Sequence, residues 1–331
     1  MADIIELEGD IFQLDLKECG DEGRTAGYFV RGKNGWMLLE TGPASSAEII
    51  LEAVRLLGIK PLQLKYIAVT HIHLDHSGGL GVLSEHFKEA GLILHPRGAR
   101  HMIDPTRLVA GASTVWGSER MGKYGQTIPA PEERLIYVGE GDTIDLGERK
   151  IEVWETPGHS KTHICFYDAG TCGLFGGDAL GVFSPGLTRL LQRPVVHSET
   201  MAPDFDGELM FRTLLRLAGS GVDRVYFTHF GVGRPPRLLA EILLGQLAVF
   251  TEMGRLYCCQ GNQGQPGEKP DNLELLALEM ERYIREGLLG KAGLPEGADS
   301  RAEREWQFLA GMKMVRLSAG GILHYLGKSQ G

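Results

Sequence analysis

The apolar and polar positions of the first 230 residues follow two periods, and together they mark short strands mixed with helices. Residues 4–8 and 26–32 have strand-like composition. Residues 36–40 (WMLLE) form a compact apolar run closed by Thr41-Gly42, which predicts a buried strand ending in a turn. Over 46–58 the apolar side chains recur at helical spacing, with Ser45 or Ser46 as N-cap and Gly58 as stop. A strand is expected over 65–70, a helix over 79–90 and a short strand over 92–95. Residues 96–133 show no sustained period, so they predict irregular chain with short helical pieces around 97–102 and 117–124. The alternation of 149–155 fits a strand with one wet face, and 163–168 with 172–177 a strand pair around Asp168-Ala169-Gly170. Residues 183–206 lack a period and read as a long surface loop, a kind of segment that is often functional. A helix over 207–218 and a strand over 224–227 follow. From 232 onward the pattern is helical over 236–259, 272–288 and 301–326, with Gly/Pro/Asn-rich breaks at 261–270 and 289–300. The expected organisation is an α/β body over 1–231 and a helical extension over 232–331.

Composition mainly excludes. A chain of 331 residues, 43% hydrophobic, can bury a large core. Its net charge of -9 argues against nonspecific attraction to nucleic acid or anionic membrane. That charge belongs to the first part, since 232–331 holds 12 basic and 12 acidic residues. Five cysteines, an odd number with no CxxC spacing and with Cys258 beside Cys259, argue against a disulfide framework and suit a reducing compartment. The opening MADIIELEGDIFQLDL is acidic where a signal peptide would be basic, and no apolar run reaches the ~18 residues of a membrane span. A soluble cytoplasmic protein is expected.

The chemistry concentrates in Thr70-His71-Ile72-His73-Leu74-Asp75-His76, directly after an apolar strand. A segment leaving a strand as a turn can aim alternate side chains into one pocket. Imidazole suits zinc and iron, carboxylate suits harder cations, and the mixture suits a hydrolytic metal site better than a chance His-rich surface turn. Three further segments each put one potential ligand just past a strand: Glu155-Thr156-Pro157-Gly158-His159, Leu174-Phe175-Gly176-Gly177-Asp178, and Val225-Tyr226-Phe227-Thr228-His229. One such residue alone is more often a bystander than a ligand. Four segments in this order are a strong signal, because layered α/β sites gather ligands at strand ends.

The set THIHLDHSGG, TPGHS, GGD and THFG resembles the metallo-β-lactamase superfamily, whose signature is HxHxDH followed by separate His, Asp and His motifs. The resemblance covers about residues 4–231. It implies an α+β fold, an αββα four-layer sandwich with metals at one edge. By the same resemblance His71, His73 and His159 would bind a first metal, Asp75, His76 and His229 a second, and Asp178 would bridge them. More narrowly, HLDHSGGLGVL, HPRGARHMIDPTRL, TPGHSKTHICFYD and GGDALGV resemble hydrolase-like proteins related to glyoxalase II and to quinolone-signal thioesterase-like proteins; the latter carry C-terminal helices over the active site. One departure stands out. The superfamily usually has Asp at the end of the early strand, where Glu40 stands in Glu40-Thr41-Gly42. That acid supports the metal loop from behind the ligands, and Glu40 keeps the charge with a longer reach.

Two cations sharing a water would lower its pKa and give a bound hydroxide near neutral pH. It would attack an ester, thioester, lactone or phosphodiester of a small-molecule substrate, with Asp75 and Asp178 as proton acceptors. Zinc is the first expectation for both ions, with iron or manganese as alternatives. Ser77 and Ser160 are expected as turn and cap residues. His163, Tyr167 and His197 are expected to pack, with substrate contact as the alternative for each. His95 and His101 are weaker candidates for the site entrance. The apolar stripe Leu239, Ile242, Leu243, Leu247, Phe250 predicts packing on the body or on a second copy in a homodimer, or else a roof that selects an apolar substrate. Two rival functions remain open: a mononuclear iron oxygenase of the same fold, and a metal-retaining ligand-binding or regulatory protein. A glutathione-specific thioesterase is not favoured, because the charge-balanced tail offers no basic triad.

Overall fold

The computed structural model describes residues 1–258, 272–290, 294 and 298–328. Cys259, the break at 261–270 and most of 291–297 lie outside the described residues. The chain divides into two compact units. Met1–Thr156, Thr162–Gly177 and Val222–Val232 form the first, and Pro157–Lys161, Asp178–Gly221 and Gly233–Gly331 the second.

Seven strands form one sheet in sequence order: β1 (Ile4–Leu7), β2 (Ile11–Asp15), β3 (Ala26–Gly32), β4 (Gly35–Leu39), β5 (Leu64–Ala68), β6 (Gly91–Leu94) and β7 (Leu135–Tyr137). Its first four strands run antiparallel, and β4 to β7 pair in parallel. Helices cross between the parallel strands: α1 (Ala47–Leu56) after β4, α2 (Leu74–Ser77) and α3 (Leu80–His86) after β5, and α4 (Ala99–Ile103) and α5 (Thr106–Tyr124) after β6. β8 (Thr143–Asp145), β9 (Lys150–Glu155), β10 (Ile164–Asp168) and β11 (Gly173–Gly177) begin a second sheet. A short ribbon of β12 (Val182–Phe183) and β13 (Val196–His197) intervenes in the chain before β14 (Arg224–Phe227) and β15 (Val232–Gly233) complete that sheet, ordered β15-β14-β11-β10-β9-β8.

Alternation of side chains along the strands explains why the first unit layers as it does. Tyr28, Val30, Met37, Leu39, Ala68 and Ile93 leave one face of the first sheet and meet Ile151, Val153, Ile164, Phe166 and Phe175 of the second in a single core. The opposite face sends Phe29, Leu38, Leu64, Ile67 and Leu92 against Ile50, Ala53 and Val54 of α1, Leu80 and Leu83 of α3 and Met102 of α4. A sheet covered on both faces reads as continuous apolar runs, which is why WMLLE marked a buried strand. The α+β class and the mixed-sheet sandwich expected from the resemblance are both present.

Three expectations need correction. Residues 106–124 form one long helix interrupted at Gly117, where φ is 79°. Only Tyr124 of that helix is buried, so no apolar stripe betrayed it. Residues 183–206 are not a surface loop: they contain α6 (Pro185–Leu191) and β13, and Val195–Thr200 are buried without a gap. The helix expected over 301–326 is two, Ser300–Leu309 and Met312–Lys328, parted by Ala310-Gly311. In the second unit these two follow α7 (Gly207–Ala218), α8 (Pro236–Cys258) and α9 (Asn272–Leu289), so we number them α10 and α11. Among the described residues no helix is long and apolar enough to cross a membrane.

His197 sits within the second unit, in edge contact with Phe250 at 5.9 Å between ring centres, and lines a cavity with Val196, Ile242 and Tyr283. Burial pushes its imidazole down from 6.5 to about 4. The unfolded imidazole takes up a proton near 6.5 while the folded one stays neutral until about 4, so acid favours the unfolded chain across that window. Urea melts at pH 7 and pH 5 should show the wild type losing stability relative to His197→Leu, by at most about 3 kcal/mol over the full window. Parallel losses in both proteins would refute the assignment.

Candidate metal centre

In the first unit the parallel strand β5 delivers its chain directly into the ligand loop. Val69 and Thr70 extend the strand; Thr70 accepts from the Ile164 amide at 2.9 Å, which joins the two sheets where the loop departs. The loop is then closed by two hydroxyls, one of its own and one from the turn after β4. Ser77 Oγ donates to the carbonyls of Ile72 (3.0 Å) and His73 (3.1 Å), and Thr41 Oγ1 donates to that of His76 (2.8 Å). Ser77 is thus a turn residue, as expected. His229 is set by a second turn, in which Phe230 and Gly231 both have positive φ and the Phe227 amide donates to Gly231 O at 2.9 Å. Tyr28, buried between the sheets, donates its phenol to Phe227 O at 2.6 Å and ties that turn to the first sheet.

These two turns bring Asp75, His76 and His229 together, with ligand atoms all within 4.8 Å of one another. His76 Nε2 and His229 Nε2 each lie 3.9 Å from an Asp75 carboxylate oxygen. The His71 ring stands 4.1 Å from that of His76, and His71 Nε2 lies 2.9 Å from His73 Nδ1. Four imidazoles and a carboxylate therefore converge at one edge of the first unit.

Glu40 explains how the loop keeps its orientation. It follows β4 with φ at 68°, is buried, and divides its carboxylate between two partners. Oε1 accepts from the Thr70 amide at 3.1 Å, and Oε2 faces His76 Nδ1 at 3.1 Å. A proton on Nδ1 donated to this carboxylate turns the Nε2 lone pair toward Asp75 and His229, the tautomer a metal ligand requires. The longer side chain at this position is accommodated, and it holds both ends of the turn.

In the second unit His159 and Asp178 are buried side by side, with His159 Nε2 3.3 Å from an Asp178 oxygen. His159 Nδ1 faces the Glu199 carbonyl at 3.3 Å. With Nδ1–H donating to that carbonyl, the lone pair of Nε2 and the carboxylate of Asp178 face each other, an arrangement of two acceptors that a shared cation satisfies. Donor chemistry and orientation in both units thus fit divalent metal ions. Gly177, with φ at 49°, ends β11 just before Asp178. A Cβ there would stand 2.6 Å from both His163 Nε2 and Thr70 Oγ1, so the strand end needs glycine.

The remaining candidates divide. His163 is buried, stacks on the His71 ring at 5.0 Å and has Nδ1 2.7 Å from Thr156 Oγ1. Tyr167 stacks on Trp154 at 4.8 Å. His95 accepts from the Arg97 amide at 3.2 Å, and burial lowers its pKa despite the nearby Glu155. Arg120 and Tyr124, which sequence reasoning missed, both feel the charge of Asp75. Trp116, Arg120 and Tyr124 recur at helical spacing on α5, and the buried Glu18 accepts from Arg120 (2.6 Å) and from Tyr124 (2.7 Å). Burial, then the Asp75 and Glu18 carboxylates, push the Tyr124 phenol far above its ordinary range. Burial opposes the charge on Arg120, yet Glu18, Tyr124 and Asp75 hold it protonated. The spacing of Trp116, Arg120 and Tyr124 was the available signal, hidden by the helix's exposed faces.

Imidazoles and carboxylates gathered at the strand ends of a two-sheet sandwich define a metal-binding α+β protein. The chain belongs to the metallo-beta-lactamase superfamily, whose family model matches residues 20–229. Over 255 residues it is 31% identical to acyl-coenzyme A thioesterase MBLAC2 of Gallus gallus, covering 72% of this chain and 84% of that protein. Over 133 residues it is 35% identical to hydroxyacylglutathione hydrolase of Hahella chejuensis, a match spanning 40% of this chain and 38% of the relative. Among solved structures it is similar to a beta-lactamase domain protein from Burkholderia ambifaria, with TM-score 0.64 and 19% identity over 99% of this chain and 88% of that one. A metallo-beta-lactamase family protein from Thermus thermophilus gives TM-score 0.61 and 19% identity, over 92% and 89% of the two chains. Superfamily and relatives together make the chain an enzyme of the hydrolase class.

Replacing Glu40 by Gln keeps its reach and removes its charge. Metal affinity, measured by titrating metal-free protein, is expected to fall about 10–100-fold with the fold unchanged by circular dichroism. Unaltered affinity would mean that Glu40 does not orient His76.

Proposed function

We propose that the protein hydrolyses a small-molecule thioester in the cytoplasm, with two divalent cations held by His71, His73, Asp75, His76, His159, Asp178 and His229. The observation that carries this reading is the convergence of Asp75, His76 and His229, with Glu40 Oε2 facing His76 Nδ1. Bound there, the cations would lower the pKa of a coordinated water and polarise the carbonyl under attack. An imidazole-rich set suits zinc or iron, and the carboxylates also admit manganese.

The chain's own residues would then divide the work. Asp75, at 18% side-chain exposure, is reachable by water and can accept a proton at its carboxylate. Asp178, buried beside His159, would help hold the cations. Arg120, held by Glu18 close enough to feel the charge of Asp75, stays protonated and places positive charge on that side, while Tyr124 gives its one O–H to Glu18. Thioesters come first among the four bond types because acyl-coenzyme A thioesterase is the name of the relative matched over 84% of its length. Hydroxyacylglutathione hydrolases are matched over less than half of theirs, and the charge-balanced tail does not favour glutathione's carboxylates.

The test is a panel of thioester, lactone, carboxyl ester and phosphodiester substrates, run on protein loaded separately with zinc, manganese and iron. Thioester hydrolysis is expected, falling in Asp178→Asn by more than the roughly 100-fold that outlying supports of a metal site cost. Metal-loaded protein silent on every substrate would contradict the proposal and favour oxidation at iron or ligand binding.

A further inference from the structure

The ligand motifs leave one buried polar run unexplained. Ser198-Glu199-Thr200 follows β13 in the second unit, and all three residues are shielded from solvent. Burial of so much polar surface is costly unless partners are built for it, and the helical tail supplies them for the Ser198 amide and the Thr200 hydroxyl. The Ser198 amide donates to Gln246 Oε1 at 3.0 Å, and Gln246 Nε2 donates to Val196 O at 2.8 Å, so one side chain of α8 clamps the chain on both sides of His197. Thr200 Oγ1 donates to Ser318 O of α11 at 2.9 Å. On the same helix a Cβ at Gly321 would stand 1.5 Å from Thr200 O, so this approach is possible only with glycine.

The residue held between those clamps is Glu199, 3% exposed. Its backbone carbonyl faces His159 Nδ1, and its carboxylate offers an oxygen within 4.8 Å of one from Asp178. Two buried carboxylates at that separation disfavour each other's charge unless a proton or a cation lies between them. No superfamily motif names Glu199, yet it shares both neighbours with the proposed centre.

We propose that Glu199 is a third carboxylate of the metal centre, set beside Asp178 and His159 by α8 and α11, and that it shifts metal preference from zinc toward the harder manganese and iron(II) ions. This rests on the metal-centre reading above. Oxygen donors suit harder cations and imidazoles suit zinc, so adding a carboxylate to the ligand set moves the balance in that direction. It also gives the helical tail a task in the chemistry, because its residues fix the backbone on either side of Glu199.

The experiment is calorimetric titration of metal-free protein with zinc, manganese and, without oxygen, iron(II), comparing wild type, Glu199→Gln and Glu199→Asp. Glu199→Gln is expected to lose at least tenfold in manganese and iron(II) affinity and less than threefold for zinc. Glu199→Asp keeps the charge but is one methylene shorter, and should fall between; it serves alone if the glutamine variant does not fold. Wild-type affinities in both variants, or equal losses for all three metals, would overturn the assignment while the metal centre stands. A wild type that binds none of the metals would instead remove the reading on which it rests.

Discussion

Imidazole nitrogens and carboxylate oxygens that face one another at close range require a cation or a proton between them, and the turns of the first unit impose that requirement. Asp75, His76 and His229 meet within 4.8 Å. Their side chains arrive from two different sheets, so the convergence depends on how those sheets pack. The shared core of Tyr28, Met37, Val153 and Phe166 sets that packing, and the Tyr28 phenol then secures the His229 turn from across it. Removing water from such a group is unfavourable by itself, and the fold's burial of it is explained if metal binding returns the free energy.

The sequence was most legible where burial imposes a regular period. β9 and α7 each set a buried face against a wet one, which writes the pattern, and WMLLE, covered on both faces, shows as an unbroken apolar run. The donor motifs were legible for a related reason: each follows an apolar strand, so its position at a strand end could be read without knowing the fold. α5 escaped because nearly every face is wet and Gly117 breaks its rhythm. The run 183–206 escaped for the opposite reason. Buried on all sides, Val195–Thr200 has no polar face to alternate with, and its short elements are fixed by distant residues such as Gln246 and Ser318. Glu199, Arg120 and Tyr124 lie in these two stretches and belong to no motif, so only contacts in space single them out.

Support from behind the ligands is as specific as the ligands themselves. Glu40 adopts a backbone conformation uncommon for a side chain of its size, and in that conformation it reaches both the Thr70 amide and His76. Glu18 plays a comparable part for Arg120 and Tyr124, where one buried carboxylate holds a guanidinium and a phenol on one helix face. In the second unit α8 and α11 do the same for the segment carrying Glu199. In each case a buried carboxylate or a side-chain amide far away in sequence fixes a part of the candidate site.

The central claim is that these donors hold metal, and anomalous X-ray diffraction from crystals grown with zinc or manganese tests it most directly. The account predicts anomalous peaks at Asp75, His76 and His229 and at His159 and Asp178. Crystals that take up metal only elsewhere, or show no anomalous peak at these residues, would contradict it.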